Sequence, residues 1–266
     1  MHFILQLLAG IGAFVRGQWM DLRYFLAVLF MTAFAGVQPR HWPRTVRAVF
    51  MRQLYRSGLD SLWFVGVLAA LVGVSVVVQA HLWLGKVGLS QKIGPLLVLI
   101  VARELGPLFT NFVIIVKSGS SIATELGYMK VSGQVRVLEA QGVDPFLYLV
   151  MPRVLATTVA AFCLNVFFTT GAFVSGYGFA EMLGQIHVDP LSFLNSVLGA
   201  VRPADVINVL VKSCVPAALT ATICATGGLS ASASVAAIPG ATKDALGRSL
   251  AGMFIVQALV SVLTYW

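Results

Sequence analysis

The sequence predicts an all-α integral membrane protein with five transmembrane helices. Hydrophobic residues make up 58% of its 266 residues and charged residues only 11%, whereas about a quarter of the residues of a soluble domain are charged. The charges leave long apolar intervals between them, and about 20 apolar residues are enough to cross the hydrocarbon core of a bilayer. Because these intervals are continuously apolar and do not alternate with polar residues, they exclude a β-barrel.

Five intervals are predicted to span the membrane. Four of them contain no charged residue: 61–85, 154–180, 213–242 and 249–266. The fifth, 93–116, is interrupted only by Arg103 and Glu104. These intervals leave no room for a large soluble domain, so the whole chain, 1–266, is expected to form one domain.

The N-terminal segment, 1–58, is expected to lie outside the transmembrane bundle formed by 59–266. Its apolar stretch Tyr24–Val37 has 14 residues, too few to cross the bilayer at about 1.5 Å per residue. An interfacial helix at the inner headgroup level is therefore predicted, with a re-entrant segment or a sixth span as the alternatives. Aromatic residues mixed with arginines support the interfacial position: Trp19, Tyr24, Phe25, Phe30, Phe34 and Trp42.

Basic residues are concentrated on one side of the predicted spans. With the N-terminus inside, the loops 117–153 and 230–248 are also inside, and the inside segments carry thirteen Lys and Arg residues. The outside loops, 86–92 and 181–205, carry three. Such an excess orients membrane proteins and explains the basic charge better than nucleic-acid binding does. The N-terminus is therefore predicted to be cytoplasmic and the C-terminus periplasmic.

The inside loop 117–153 is predicted to contain an amphipathic helix. Its centre, Glu125–Gln141, mixes charged residues with apolar residues at steps of three and four, as an amphipathic helix requires. Gly142 is a stop signal, and Asp144-Pro145 begins the next element. On pattern alone, this helix is either a solvated cap on the membrane or an element that docks a partner.

Two adjacent charges, Arg103 and Glu104, lie near the middle of the second predicted span. Charged side chains are costly there and usually face a cavity or a partner. Adjacent residues point about 100° apart on a helix, so each charge is expected to pair elsewhere, and Lys212 in the fourth span is the predicted partner of Glu104. The charges either hold the bundle together or form a polar patch beside the route of a lipid. Gly106-Pro107 is expected to loosen the helix after them.

The outer part of the first span carries a mainly apolar stripe that suits either an acyl-chain cavity or helix packing. Its members are Val76, Gln79, Trp83, Leu84 and Val87. Glycines in the first and third spans are expected to allow close helix approach, namely Gly66, Gly73, Gly171, Gly176 and Gly178. The three cysteines and four histidines show no spacing typical of a disulfide, a metal site or a catalytic site, and the chain is not expected to be an enzyme.

No segment matches the glycine-rich GxxxxGK[ST] loop that binds nucleotide phosphates. Uphill transport by this chain would therefore need an ion gradient or a partner that hydrolyses ATP. Gradient-driven carriers usually contain several buried carboxylates, and the predicted spans contain only Glu104. A partner ATPase is favoured, with a gradient-driven carrier or channel, or a scaffold that anchors an ATPase, as the alternatives.

Several separated motifs resemble the MlaE (YrbE) permease family. They occur in the family's order from about residue 45 to 262. The second span contributes Arg103-Glu104-Leu105-Gly106-Pro107, and the fourth contributes Lys212-Ser213. Arg52-Gln53-Leu54-Tyr55 and Gly58 lie ahead of the first span. The intervening loop contributes Gly119-Ser120, Glu125-Leu126-Gly127, Leu138-Glu139, Asp144-Pro145 and Pro152-Arg153.

The resemblance implies a homodimeric permease subunit of an ABC transporter in the bacterial inner membrane. It implies transport of phospholipids or related lipids between that membrane and periplasmic carriers, contributing to outer-membrane lipid asymmetry. It also implies a separate cytoplasmic ATPase (MlaF-like) that binds ATP and Mg, a periplasmic MCE-domain lipid-binding protein (MlaD-like) and a small STAS-type accessory subunit. No cofactor is expected on this chain.

The span patterns and the resemblance together predict roles for two sets of residues. The lipid cavity would be lined by the first-span stripe together with Arg103, Glu104, Leu105 and Lys212. The loop helix would be a coupling helix seated in the ATPase, with contacts from Glu125, Lys130, Gln134, Leu138, Glu139, Gly142, Asp144 and Pro145. This sequence departs from the family's common Glu-Gln pair and has Gly133-Gln134. Glycine inside a helix costs about 1 kcal/mol relative to alanine.

Overall fold

The computed structural model describes residues 27–32, 34–36, 38, 42–86, 98–182, 190–232 and 234–265. All regular structure in these ranges is helical. The helices are α1 (Ala27–Gly36), α2 (Arg44–Lys86), α3 (Val98–Val131), α4 (Gln134–Ala140), α5 (Phe146–Met182), α6 (Pro190–Ala200), α7 (Pro203–Ser230) and α8 (Ile238–Tyr265). A single 3₁₀ turn, Val235–Ala237, precedes α8.

Five of these helices, α2, α3, α5, α7 and α8, are long and apolar enough to cross a membrane. They confirm the predicted all-α class and the number of spans. The short helix α4 lies between the second and third spans, and α6 lies between the third and fourth. The two ends of the bundle are therefore called the α4 end and the α6 end.

The predicted limits of the last two spans are wrong. α7 begins at Pro203 and ends at Ser230, and the chain becomes helical again at Val235, so the predicted inside loop 230–248 is only a short turn. The limits are wrong because an interval without charged residues indicates only which part of a helix can lie in hydrocarbon, and the helix itself can continue beyond that part. The backbone hydrogen bonds of α8 continue through the charged residues Lys243 and Arg248, where the helix is exposed.

The first and third spans, α2 and α5, pack along much of their length. Gly73 and Gly176 are the closest points, because a Cβ built on Gly73 would lie 2.1 Å from the carbonyl oxygen of Ala172 and one on Gly176 would lie 2.7 Å from that of Gly73. Only glycine permits this approach. The predicted role of these two glycines in helix packing is confirmed, whereas Gly178 has no atom within 4 Å of its Cβ position.

A second close contact joins α3 to α7 near the α4 end. A Cβ on Gly228 would lie 2.4 Å from the carbonyl oxygen of Ala123. Around it, Ile122, Leu126 and Cys224 form part of a buried cluster. Cys163, Cys214 and Cys224 are free thiols, of which Cys224 is buried and Cys163 is exposed.

The N-terminal helix α1 packs against the start of α5. The Trp42 indole N–H donates to the Gly36 carbonyl at 2.9 Å, and Ala35 and Met151 share a buried cluster. Phe30 and Phe34 are exposed. The interfacial position of α1 stays a prediction, and the aromatic residues expected at Trp19, Tyr24 and Phe25 lie outside the described residues.

Candidate functional site

A cluster of charges lies where α3, α7 and α8 meet inside the bundle. The Lys212 ammonium is 2.6 Å from the Glu104 carboxylate, which confirms the predicted pair. Ser261 of α8 donates to the same carboxylate at 3.2 Å. The cluster therefore joins three spanning helices through one carboxylate.

The two partners of this ion pair differ sharply in exposure. The Lys212 side chain is 0% exposed, whereas the Glu104 side chain is 43% exposed. The lysine is thus held inside the bundle, and the carboxylate is the part of the cluster that reaches open space. A ligand that approaches this surface would meet Glu104 first.

Arg103, the neighbour of Glu104, pairs with a residue that the sequence analysis had placed in an outside loop. Its guanidinium is 2.8 Å from the Asp205 carboxylate, and both side chains are largely buried. The same carboxylate accepts the backbone N–H of Arg202 at 2.8 Å and so caps the start of α7. Pro203 followed by an acidic residue at the third helical position is a helix-start signal that could have located Asp205.

Two prolines create backbone acceptors for this cluster. Pro216 lies inside α7 and has no N–H to donate to the Lys212 carbonyl one turn earlier. That carbonyl instead accepts the side-chain amides of Asn111 at 3.0 Å and Gln257 at 3.3 Å. Pro107 likewise leaves the Arg103 carbonyl without its α-helical donor, and this carbonyl accepts the Lys212 ammonium at 3.2 Å. The polar core thus depends on helix irregularities.

The helix changes its winding at the charged pair. Residues Val98–Leu105 are π-helical, and α-helical winding resumes at Gly106. This change agrees with the loosening predicted at Gly106-Pro107. A Cβ on Gly106 would lie 2.7 Å from the Asn165 amide oxygen, so α5 fits tightly against this point and holds the distorted segment.

The predicted first-span stripe divides into two parts. Val76 packs against the core shared by α2 and α5, so the packing interpretation holds for this residue. Gln79 and Trp83 are exposed, and their role in a lipid cavity stays a prediction, as does that of the partly buried Leu105. The Leu84 side chain and Val87 lie outside the described residues.

The loop helix is shorter than predicted and is broken at Gly133. The prediction of one continuous helix over Glu125–Gln141 is wrong, because α3 ends at Val131 and a separate helix, α4, begins at Gln134. Gly133 has a φ of +78°, in the left-handed region that glycine adopts without strain. The expected cost of glycine inside a helix therefore does not arise.

Gly142 ends α4, as predicted. Its φ is +74°, and its N–H donates to the Glu139 carbonyl at 3.0 Å, while that of Val143 donates to the Leu138 carbonyl at 3.0 Å. These two bonds form a Schellman motif. Asp144 then accepts the N–H of Phe146 at 2.9 Å, as the predicted start of the next element.

Most of the residues predicted to contact an ATPase are exposed. Gln134, Glu139, Gly142 and Asp144 are exposed, and Leu138 and Pro145 are partly buried. Lys130 is exposed as well, but its ammonium donates to the Leu229 carbonyl at the end of α7. Val137 on α4 is 55% exposed and was missed by the sequence analysis. The surface is open to a partner, and the contact itself stays a prediction.

Glu125 occupies a different environment from these residues. Its carboxylate lies 2.9 Å from Arg153 of α5 and 3.2 Å from Arg56 of α2. Arg153 is buried, with its side chain 6% exposed, and also donates to the Leu149 carbonyl at 2.8 Å. Glu125 thus ties α3 to both α2 and α5 at the α4 end.

Comparison with known proteins agrees with this architecture. The family described as Permease MlaE matches residues 50–263, a range that begins within α2, ends within α8, and includes the other three spans, the Glu104 cluster and α4. The chain belongs to the MlaE permease family.

Relatives of this MlaE permease occur in bacteria and in a plant. It is 31% identical, over 83% of its length, to the chloroplast protein TRIGALACTOSYLDIACYLGLYCEROL 1 of Arabidopsis thaliana, and spans 61% of that protein. It is 28% identical to a probable ABC transporter permease protein of Rickettsia typhi, over 84% of this chain and 85% of the relative. It is 27% identical to the intermembrane phospholipid transport system permease protein MlaE of Haemophilus influenzae, over 48% of each chain.

Neutralising Glu125 is expected to destabilise this MlaE permease more than neutralising Arg56. Glu125→Gln leaves the buried Arg153 guanidinium without a carboxylate, and we expect a loss of about 1.5–3 kcal/mol in the free energy of unfolding. Arg56→Gln removes only the half-exposed pair, which is expected to contribute less than about 1 kcal/mol. Unfolding of both variants in mixed detergent micelles measures the difference. Equal losses would show that Glu125 does not hold α5.

Proposed function

We propose that this chain is the membrane subunit of an ABC transporter that moves phospholipids or related lipids. The half-exposed Glu104 carboxylate, held by a fully buried lysine in a spanning helix, carries the proposal. A charge at this depth is costly unless it meets water or a polar ligand, and a lipid headgroup is such a ligand. The relatives named as ABC transporter permeases and as a phospholipid transport permease support the same function.

The α4 end is proposed to face the cytoplasm. The excess of Lys and Arg in the segments at this end supports that orientation, which places the C-terminus in the periplasm. A separate MlaF-like ATPase would bind ATP and Mg and dock on the exposed surface of α4. Val137 offers this ATPase an apolar contact, and Gln134 and Glu139 on the same helix offer polar contacts beside it.

A second copy of the chain is proposed to complete the lipid route. The outer surface of α8 is broad and apolar, with Phe254, Ile255, Leu259, Val262 and Leu263 each more than half exposed, and suits either lipid or a second copy. An MlaD-like MCE-domain protein would exchange lipid with the permease in the periplasm, and a STAS-type subunit would accompany the ATPase. Rocking of the two copies on nucleotide binding would change the volume between them.

Reconstitution of the chain with its ATPase tests this function. We expect the chain alone to hydrolyse no ATP, and the complex in liposomes to transfer fluorescent phospholipid to an acceptor only when ATP is present. Glu104→Gln should reduce transfer at least tenfold, whereas Glu181→Gln, a change of an exposed carboxylate near the α6 end, should not.

Three outcomes would contradict the proposal. ATP hydrolysis by the chain alone would place the nucleotide site on this subunit. Lipid transfer that persists without ATP and stops when an ionophore is added would identify a gradient-driven carrier. Normal transfer by Glu104→Gln in an assembled complex would show that the charge cluster only stabilises the bundle.

A further inference from the structure

A cavity of about 520 Å³ lies at the α4 end of the bundle. Residues from α1, α3, α5, α7 and α8 line it. It is distinct from the Glu104 cluster, because Thr226 on its wall lies fourteen residues beyond Lys212 along α7, about 21 Å at the α-helical rise of 1.5 Å per residue. The role assigned to the Glu104 cluster leaves this cavity unexplained, and of the residues predicted to contact an ATPase only Lys130 lies on its wall.

The charged groups on the cavity wall are both basic. Lys130 comes from α3 and Arg248 from α8, and no carboxylate is among the lining residues in the part of the chain that the structure describes. Lys130 uses one of its three N–H groups on the Leu229 carbonyl, which leaves two for a ligand. Arg248 makes no hydrogen bond or ion pair with the residues that the structure describes. The wall is therefore suited to an anion.

The remaining wall is largely apolar. Val28 of α1, Phe146 of α5 and Ile223 of α7 line the cavity together with the hydroxyl-bearing Thr226 and Ser230. A small inorganic anion would leave these apolar side chains in contact with water. A ligand that has both a negative charge and an apolar part matches the whole wall, since binding sites combine apolar area with a few polar groups that fix orientation.

The position of Arg248 along α8 indicates the depth of the cavity. The charged residues Lys243, Asp244 and Arg248 precede the uncharged run 249–266. Arg248 therefore stands where the apolar part of the helix begins, which is the level of lipid headgroups. Basic residues at this level attract anionic lipids.

We propose that this cavity binds the headgroup of an anionic phospholipid. The phosphate lies between Lys130 and Arg248, and the glycerol and first acyl carbons lie against Val28, Phe146 and Ile223. Assignment of this lipid to the cytoplasmic leaflet rests on the proposed orientation of the transporter. The bound lipid joins α3 to α8 at the same end of the bundle as α4.

Native mass spectrometry of the full chain in mild detergent tests the site. Phosphatidylglycerol and phosphatidylcholine are titrated separately, and we expect tighter binding of phosphatidylglycerol. Lys130→Gln and Arg248→Gln should each weaken phosphatidylglycerol binding about fivefold, and the double variant about 25-fold. Lys243→Gln is the matched control, because it removes an exposed basic residue of α8 that does not line the cavity.

A variant that fills the cavity distinguishes lipid binding inside the cavity from attraction of the lipid by surface charge. Thr226→Phe keeps both basic residues but occupies the space between them, and is expected to weaken phosphatidylglycerol binding at least tenfold while the thermal unfolding of the protein stays unchanged. If the chain unfolds instead, the glutamine variants decide, because they alter exposed side chains only. Displacement of phosphatidylglycerol by inorganic phosphate would overturn the proposal, since it would identify a site for phosphate alone.

Two further outcomes would also overturn it. Equal weakening by Lys243→Gln would assign the effect to surface charge. Equal affinity for the two lipids, together with loss of ATPase binding in Arg248→Gln, would assign the cavity to the partner protein. The lipid titrations use the chain alone, so their failure leaves the proposed ATP-driven transport untouched.

Discussion

Glu104→Ala is expected to destabilise the protein by about 3–5 kcal/mol, because it leaves a fully buried ammonium without its carboxylate. Lys212→Met removes the same ion pair but leaves a carboxylate that is 43% exposed and can be hydrated. We expect the methionine variant to lose only about 1–3 kcal/mol. The difference between the two expected losses follows from the different exposure of Lys212 and Glu104. Both variants break the same ion pair, so loss of the pair alone would predict equal losses.

The double variant Glu104→Ala, Lys212→Met provides the control. It removes the buried charge together with its partner, so it should be more stable than Glu104→Ala alone. Free energies of unfolding from detergent titration in mixed micelles measure all three variants. A double variant less stable than either single variant would show that the two side chains stabilise the bundle independently of each other.

Gly73→Ala is expected to disrupt the packing of α2 on α5. The new Cβ would lie 2.1 Å from the Ala172 carbonyl oxygen and 2.7 Å from its Cα. Both are backbone atoms, so no side-chain rotation can relieve the overlap and the helices must separate. Overpacking typically costs 1–3 kcal/mol, and we expect a loss of at least about 3 kcal/mol here because the obstacle is rigid.

Gly66→Ala on the same helix is the matched control. The nearest atom to its Cβ position is a ring carbon of Phe167 at 3.5 Å, an ordinary contact. Alanine also favours a helix by about 1 kcal/mol relative to glycine, so this variant should be neutral or slightly more stable. If the close approach is the cause, thermal unfolding in detergent should show a large loss of stability for Gly73→Ala and no loss for Gly66→Ala. Similar losses would indicate that α2 tolerates no added methyl group.

Some of the site could be predicted from the sequence, and the residues show why the rest could not. The Glu104–Lys212 pair was predictable because Glu104 lies inside one apolar interval and Lys212 directly adjoins another, where an unpaired charge is costly. The sequence pattern does not predict the role of Asp205, because charge-free intervals place it at the edge of the loop 181–205, whereas it lies in the first turn of α7 and pairs with Arg103. Glu125 was expected at the partner surface from its motif, and only the structure shows that it binds arginines of α2 and α5.

The sequence by itself determined the membrane class, the five spans, the stop at Gly142 and the need for partners for the central charges. These features depend on the polarity and the backbone preferences of residues that are close together along the chain, so they can be predicted without knowledge of the tertiary structure. Tertiary structure decided where the spans end, which carboxylate each buried cation meets, and that the helix breaks at Gly133. Those outcomes depend on the rotation and register of helices that are distant in sequence, and on backbone groups such as the Lys212 carbonyl that Pro216 leaves for Asn111 and Gln257 to satisfy.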